Sequence, residues 1–151
     1  MIDWLDYSKG SFMTMMNIEG TGLGVHIKQC SVFLESVISL CYNLEFLNLS
    51  DLCLNDQHAE VISDMFVWMK NLRVFKLAKN QFWAPGAIKI FRGVEGSNSI
   101  KYLDLSWNCI NLLIAKTGDI AKALDDVLNS KSIRHLDLSY NSINNFEMSE
   151  I

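Results

Sequence analysis

Apolar residues recur along the chain in one fixed pattern, LxxLxLxxNxL, with polar residues between them. The clearest copies are IKYLDLSWNCI at residues 100–110 and IRHLDLSYNSI at residues 133–143. Three more copies begin at residues 13, 44 and 72, and the two earliest carry Thr21 and Leu52 in place of the asparagine. A recurring unit of this kind predicts a repeat architecture, in which each unit buries its apolar face against the next.

Each copy predicts a short strand followed by a helix. Leu103 and Leu105 alternate with polar residues, so both side chains are expected on one face of a strand. Downstream apolar residues recur at three- and four-residue steps, as Ile62 and Phe66 do, which indicates a helix. Strands of successive copies would pair in parallel and stack their apolar side chains. We therefore expect strand leucines such as Leu103 and Leu136 to lie in one continuous core.

The connections between strand and helix carry their own signals. Asn80, Asn108 and Asn141 follow the strands where the chain must turn, and a short amide there can satisfy unpaired backbone groups. Starts at 44, 72 and 100 lie 28 residues apart, whereas the copy starting at 100 is five residues longer. We expect this excess to form a longer connection within residues 111–119.

This motif resembles the leucine-rich repeat family, and the 28-residue spacing is similar to its ribonuclease-inhibitor-like subclass. The resemblance implies an α/β fold: a leucine-rich repeat solenoid, or horseshoe segment, of about five repeats. Its parallel sheet would lie on the concave side and its helices on the convex side. We call the units starting at residues 13, 44, 72, 100 and 133 repeats 1 to 5.

The same resemblance suggests how the chain is divided. Residues 1–12 are interpreted as the end of a preceding repeat or an N-terminal cap helix, and residues 13–151 as the repeat array. Repeat arrays normally carry polar caps at both ends, and the sequence offers no convincing C-terminal cap. We expect the chain to be a fragment of a longer array, or its open end to self-associate or to contact a neighbouring subunit.

The amino-acid composition limits which classes of binding partner are expected. Half of the residues are hydrophobic and the formal net charge is −4, which gives no support for a nucleic-acid or membrane-surface partner. The four cysteines have no CxxC spacing, and no secretory signal is visible, so reduced thiols in a cytoplasmic protein are predicted. The motif is similar to that of ciliary and other cytoskeletal repeat proteins, which suggests the cilium or the cytoskeleton as its location within the cytoplasm. No metal or cofactor is expected.

Residues that could suggest catalysis have simpler interpretations. The segment from Gly20 to Gly24 is glycine-rich, but it lacks the following Lys-Ser/Thr of a phosphate-binding loop, so a turn is predicted. His135, Asp137 and Ser139 alternate along one strand, yet an open sheet provides no preformed oxyanion hole. The chain is therefore predicted not to be an enzyme.

The concave face is where a binding site is predicted. The third, fifth and seventh motif positions should point away from the core, and the eighth should lie at the strand's edge. Aromatic residues there are candidate contacts because they dominate interface energies, although they could instead pack on each other as ordinary surface aromatics. Asp104 and Asp137 would lie about 5 Å apart, which is unfavourable unless a basic partner residue relieves it. The predicted protein-binding residues are Phe46, Lys76, Tyr102, Asp104, Trp107, His135, Asp137 and Tyr140.

The sequence thus favours a non-enzymatic protein-interaction module that binds a protein partner through the concave face or the open repeat end. One alternative is a structural subunit of a large assembly, of ciliary or cytoskeletal type. The other is a regulator of small GTPases, which rests on analogy between folds only.

Overall fold

A computed structural model describes residues 12–111, 117–130 and 132–142 of the chain. The predicted N-terminal segment, residues 1–12, lies outside the described residues except for Phe12. The segment after residue 142, where a C-terminal cap would lie, is also outside them. So is most of the predicted longer connection.

Five short strands form one parallel sheet in chain order, as the repeat pattern predicts. Neighbouring strands pair in a constant register, so the same motif position faces the same position in the next repeat. Each strand spans the third to the fifth motif position. The strands are β1 (Met15–Asn17), β2 (Phe46–Asn48), β3 (Val74–Lys76), β4 (Tyr102–Asp104) and β5 (His135–Asp137).

A helix follows each of the first four strands. The helices are α1 (Ile27–Leu40), α2 (Ala59–Trp68), α3 (Ala84–Glu95) and α4 (Thr117–Asn129), and a 3₁₀ turn, Leu23–Val25, precedes α1. Helices α2, α3 and α4 pack side by side on the apolar face of the sheet, leaving the other face as the concave face.

Strand leucines and helix residues share one hydrophobic core. Leu47 and Leu103 are fully buried, and the rings of Phe66 and Phe75 meet edge to face with their centroids 5.4 Å apart. Leu136 is only partly buried, which corrects the expectation that it would be as enclosed as Leu103. The reason is its place in β5, the last strand of the described sheet, which has a neighbouring strand on one side only.

The predicted asparagine turns are confirmed, and each asparagine joins two repeats. Asn80 Oδ1 accepts hydrogen bonds from the backbone N–H groups of Leu52 (3.1 Å) and Leu54 (2.9 Å), in the preceding repeat. Its Nδ2 donates to the carbonyl oxygens of Leu49 and Leu77. Asn108 and Asn141 repeat this arrangement one and two units further on. These side chains satisfy backbone groups that the turn would leave buried and unpaired.

Repeats 1 and 2 keep their turns in spite of lacking the asparagine. Leu52 is fully buried, and its backbone N–H is satisfied by Asn80 of the next repeat. Its carbonyl oxygen accepts a hydrogen bond of 2.7 Å from the N–H of Gly24 in repeat 1. A Cβ on residue 24 would lie 2.7 Å from that same oxygen, so only glycine permits the approach. The turn role predicted for the glycine-rich segment therefore applies to Gly24.

The four cysteines are free; Cys30 and Cys41 are buried, and burial raises the pKa of the Cys30 thiol to about 11. Within the described residues, no helix combines the length and the apolar character that crossing a bilayer requires.

Candidate functional site

The parallel register aligns motif positions into columns across the concave face. The third-position column runs through all five strands, from Met15 to His135, and the fifth-position column runs from Asn17 to Asp137. Side chains that are 28 to 33 residues apart in the sequence thus become direct neighbours. The columns bring together the predicted binding residues of repeats 2 to 5.

The third-position column contains a stacked aromatic pair beside a cation. The rings of Tyr102 and His135 are 3° from parallel, with centroids 4.7 Å apart. Lys76 Nζ lies 5.9 Å from the centroid of the Tyr102 ring and equally far from that of Phe46. A cation at this distance from two ring faces is attracted by both. Four of the predicted residues therefore form one contact row from repeat 2 to repeat 5.

The eighth motif position has a left-handed backbone in every repeat. This position has φ values of 77° at Gly20, 56° at Asp51, 55° at Lys79, 55° at Trp107 and 57° at Tyr140. Glycine, asparagine and aspartate tolerate this region, whereas a bulky aromatic residue in it is an outlier. The sequence prediction assigned this position to the strand's edge and missed its conformation. Gly20, in the earliest repeat, was the signal that could have revealed it.

Trp107 and Tyr140, the two outliers, form the second stacked pair. Their ring centroids lie 4.0 Å apart and their planes 14° from parallel, while 52% of Trp107 and 68% of Tyr140 stays exposed. Large exposed rings that lie side by side are typical of interaction sites. Part of the alternative interpretation is also correct, because these aromatic residues do pack on each other.

Asp104 and Asp137 are neighbours in the fifth-position column, between the third and eighth positions of repeats 4 and 5. Asp104 Oδ1 accepts hydrogen bonds from the N–H and the hydroxyl of Ser106, at 3.0 and 2.7 Å. Asp137 is held in the same way by Ser139, whose hydroxyl and N–H lower the pKa of the Asp137 carboxyl. Two fixed carboxylates thus share one surface.

Neither carboxylate forms a salt bridge within the described residues, where the only salt bridge joins Lys89 to Glu60 elsewhere on the surface, although the charge of His135 helps to lower the pKa of Asp137. Lys76 is the register neighbour of Asp104, but its ammonium group approaches the aromatic rings instead. Burial raises the pKa of the Tyr102 phenol, and the two carboxylates add to this rise. The surface of repeats 4 and 5 therefore combines exposed rings with negative charge.

The concave face is partly closed in its fifth and seventh columns. Asn48, Ser50 and Ser106 are buried, although they lie on the face that points away from the core. Asn48 Nδ2 donates to the Glu19 carboxylate at 3.0 Å, and Ser50 Oγ accepts from the Ala78 N–H at 3.1 Å. Short polar side chains in these columns form hydrogen bonds to neighbouring repeats. They are therefore far less exposed than the rings of Trp107 and Tyr140.

Comparison with solved structures shows two similar folds. The tropomodulin C-terminal domain of Caenorhabditis elegans superposes with a TM-score of 0.69 at 13% sequence identity, over 95% of this chain and 85% of that one. Leiomodin-1 Actin-Binding Site 2 superposes with a TM-score of 0.64 at 15% identity, over 95% of this chain and 82% of that one. A comparison with curated proteins gave no match. At these identities the likeness concerns the fold.

A family model described as Leucine Rich repeat matches residues 96–116 and 129–145, which contain the two clearest copies of the motif. The 28-residue spacing is compatible with the ribonuclease-inhibitor-like subclass, which stays a prediction. The phased motif, the two matched segments and the stacked parallel sheet are those of a leucine-rich repeat solenoid.

Proposed function

We propose that this chain is a protein-interaction module whose partner docks on the concave face of repeats 4 and 5. The observation that carries the proposal is the pair of exposed, stacked rings formed by Trp107 and Tyr140. Aromatic anchors supply most of the binding energy at protein interfaces, and rings that are already fixed lose little conformational entropy on binding. The proposal involves no catalytic step.

The charges on the same surface indicate what the partner should carry. Asp104 and Asp137 are fixed by their serines and lack a basic neighbour within 4.0 Å in the described part of the chain. A lysine or arginine of the partner would relieve their mutual repulsion, and an arginine could also stack on the rings. We therefore infer a partner surface that presents a basic side chain next to apolar groups.

Actin is the first partner to test. Leiomodin-1, in the region described as Actin-Binding Site 2, has a similar fold. An actin partner would agree with the cytoskeletal site within the cytoplasm that the sequence suggests. The test is co-sedimentation of the purified chain with actin filaments, together with anisotropy titration of labelled actin monomers. Absence of binding in both assays would reject actin as the partner.

The surface itself is tested by substitution. We expect Trp107→Ala and Tyr102→Ala each to weaken partner binding by about 2 kcal/mol or more, the usual hot-spot threshold. Trp68→Ala is the matched control, because Trp68 is 66% exposed at the end of helix α2 on the convex side. Unchanged binding by Trp107→Ala, together with loss in Trp68→Ala, would move the interface to the convex side.

Two further substitutions test the role of charge. Replacing Asp104 and Asp137 together by asparagine should mainly slow association, and only at low salt, because salt screens the steering of a partner by exposed charges.

The predictions of a structural subunit and of a small-GTPase regulator remain predictions. No residue on the described surface favours either of these functions over the docking of a partner.

A further inference from the structure

Basic residues form a second column on the chain, separate from the stacked rings. The second motif position is arginine or lysine in three successive repeats, at Arg73, Lys101 and Arg134. The backbone fixes their spacing: the Lys101 N–H donates to the Arg73 carbonyl at 2.8 Å, and the Arg134 N–H donates to the Lys101 carbonyl at 2.9 Å. Adjacent members are therefore about one strand spacing, roughly 5 Å, apart. With Lys70, just before repeat 3, we call them the basic rim.

No carboxylate of the described residues forms a salt bridge with the basic rim. Among the described residues the only salt bridge is between Lys89 and Glu60, on helices α3 and α2. Glu45 precedes Arg73 in the same column, yet the two side chains form no ion pair. Like charges carried by neighbouring strands repel one another, in a chain whose formal net charge is −4. A bound anion would remove that repulsion.

Between repeats 3 and 4 the basic rim borders a cavity of about 170 Å³. Three basic side chains contribute to its lining, and the remaining lining residues are asparagine and serine. This volume exceeds the roughly 30 Å³ that one water molecule occupies in the liquid, so a carboxylate group has room to enter. The lining consists of Lys70, Asn71, Arg73, Asn98, Ser99 and Lys101.

We propose that the basic rim binds an acidic segment of a protein partner, with one carboxylate in this cavity and others along Lys101 and Arg134. Arginine pairs with carboxylates through two parallel hydrogen bonds, and lysine adds a point charge. A row of only a few cations matches the few carboxylates of a short acidic segment better than the dense, continuous phosphate charge of nucleic acid. This site does not depend on the stacked rings.

The probe for this proposal is a fluorescein-labelled peptide of alternating glutamate and serine, titrated with the full chain and followed by fluorescence anisotropy. We expect saturable binding that weakens with added salt, and no binding of the matching glutamine–serine peptide. Lys101→Glu and Arg73→Gln should each weaken binding about tenfold or more, since charge-assisted hydrogen bonds contribute about 1.5–3 kcal/mol. Lys28→Glu, an exposed position on helix α1, is the control with the same change in charge as Lys101→Glu.

Three results would overturn the proposal: equal weakening by Lys28→Glu, displacement of the peptide by inorganic phosphate at equal concentration, or tighter binding of a single-stranded RNA. The first would indicate a nonspecific charge effect, the second a small-anion site and the third a nucleic-acid surface. Thermal unfolding of each variant shows whether the fold is kept, and the neutral Arg73→Gln keeps the test valid if Lys101→Glu unfolds. The Trp107→Ala variant should bind the peptide as the unaltered chain does. Failure of the acidic-segment proposal can therefore be distinguished from failure of the proposed function.

Discussion

The indole of Trp107 stacks on the phenol ring of Tyr140, with the ring centroids 4.0 Å apart, although both residues have a left-handed backbone. The two residues are equivalent, each at the eighth motif position of its repeat. Their stacking is a consequence of the parallel register, which sets the same turn of repeat 5 beside that of repeat 4. The left-handed turn recurs at the eighth position of every repeat, and repeats 4 and 5 are the two that place aromatic rings on it.

The strain at Trp107 can be measured apart from its binding role. Trp107→Ala removes the ring and keeps the unfavourable φ of 55°, whereas Trp107→Gly removes the ring and relieves the backbone. We expect the glycine variant to be more stable than the alanine variant by on the order of 1 kcal/mol, since a left-handed L-residue costs roughly 1–2 kcal/mol. Urea unfolding of both variants provides the measurement. Greater stability of the alanine variant would mean that the turn is not left-handed.

Leu103→Ala and Leu136→Ala should differ, although they are equivalent in sequence. Leu103 is enclosed by strands on both sides, so its truncation should cost roughly 2–5 kcal/mol, as it does for buried leucines generally. Leu136 is partly exposed on β5 and should cost clearly less. The free energies of unfolding in urea decide the matter. Equal losses would indicate that β5 is covered in solution, by another copy or by a partner.

Asn80 should be among the most sensitive polar positions. Asn80→Ala would leave the N–H groups of Leu52 and Leu54 buried without an acceptor, which should cost at least about 2 kcal/mol. Asn98→Ala is the control, because that side chain is exposed. Thermal and urea unfolding of the two variants test the expectation. A loss at Asn80 no larger than that at Asn98 would show that water or a shifted backbone replaces the amide.

His58 should make stability depend on pH. The imidazole is fully buried, its Nδ1 accepts a hydrogen bond from the Asn55 N–H at 3.2 Å, and its Nε2 has no hydrogen-bond partner among the described residues. Burial lowers the pKa of His58 below its ordinary value of 6.5. Between the lowered pKa and 6.5 the unfolded chain binds more protons than the folded chain, so stability rises with pH. The contribution is complete above about pH 6.5 and is lost as pH falls through the folded pKa.

Urea unfolding at a series of pH values from neutral downwards tests this expectation. His58→Gln should flatten the decline of stability on acidification, whereas His26→Gln, which alters an exposed imidazole, should leave it unchanged. An unaltered decline in His58→Gln would assign the pH dependence to the carboxylates.

Local pattern was sufficient to predict the architecture. The alternation of Leu103 and Leu105 predicted a strand, and the spacing of Ile62 and Phe66 predicted a helix, because both periodicities are set by backbone geometry within a few residues. The constant motif then fixed the parallel order, and Asn80 marked a turn. The exposed columns containing the predicted binding residues also followed from this register.

Tertiary structure alone decided what those columns look like. Stacking of Trp107 on Tyr140, and the position of Lys76 beside two rings instead of a carboxylate, depend on side-chain directions across neighbouring strands. The lesser burial of Leu136 depends on which strand is last in the described sheet. The sequence specifies which residues are equivalent, because equivalent residues occupy the same motif position in successive repeats. Side-chain contacts, backbone strain and unpaired charges arise only when separate repeats are brought within a few ångströms of each other.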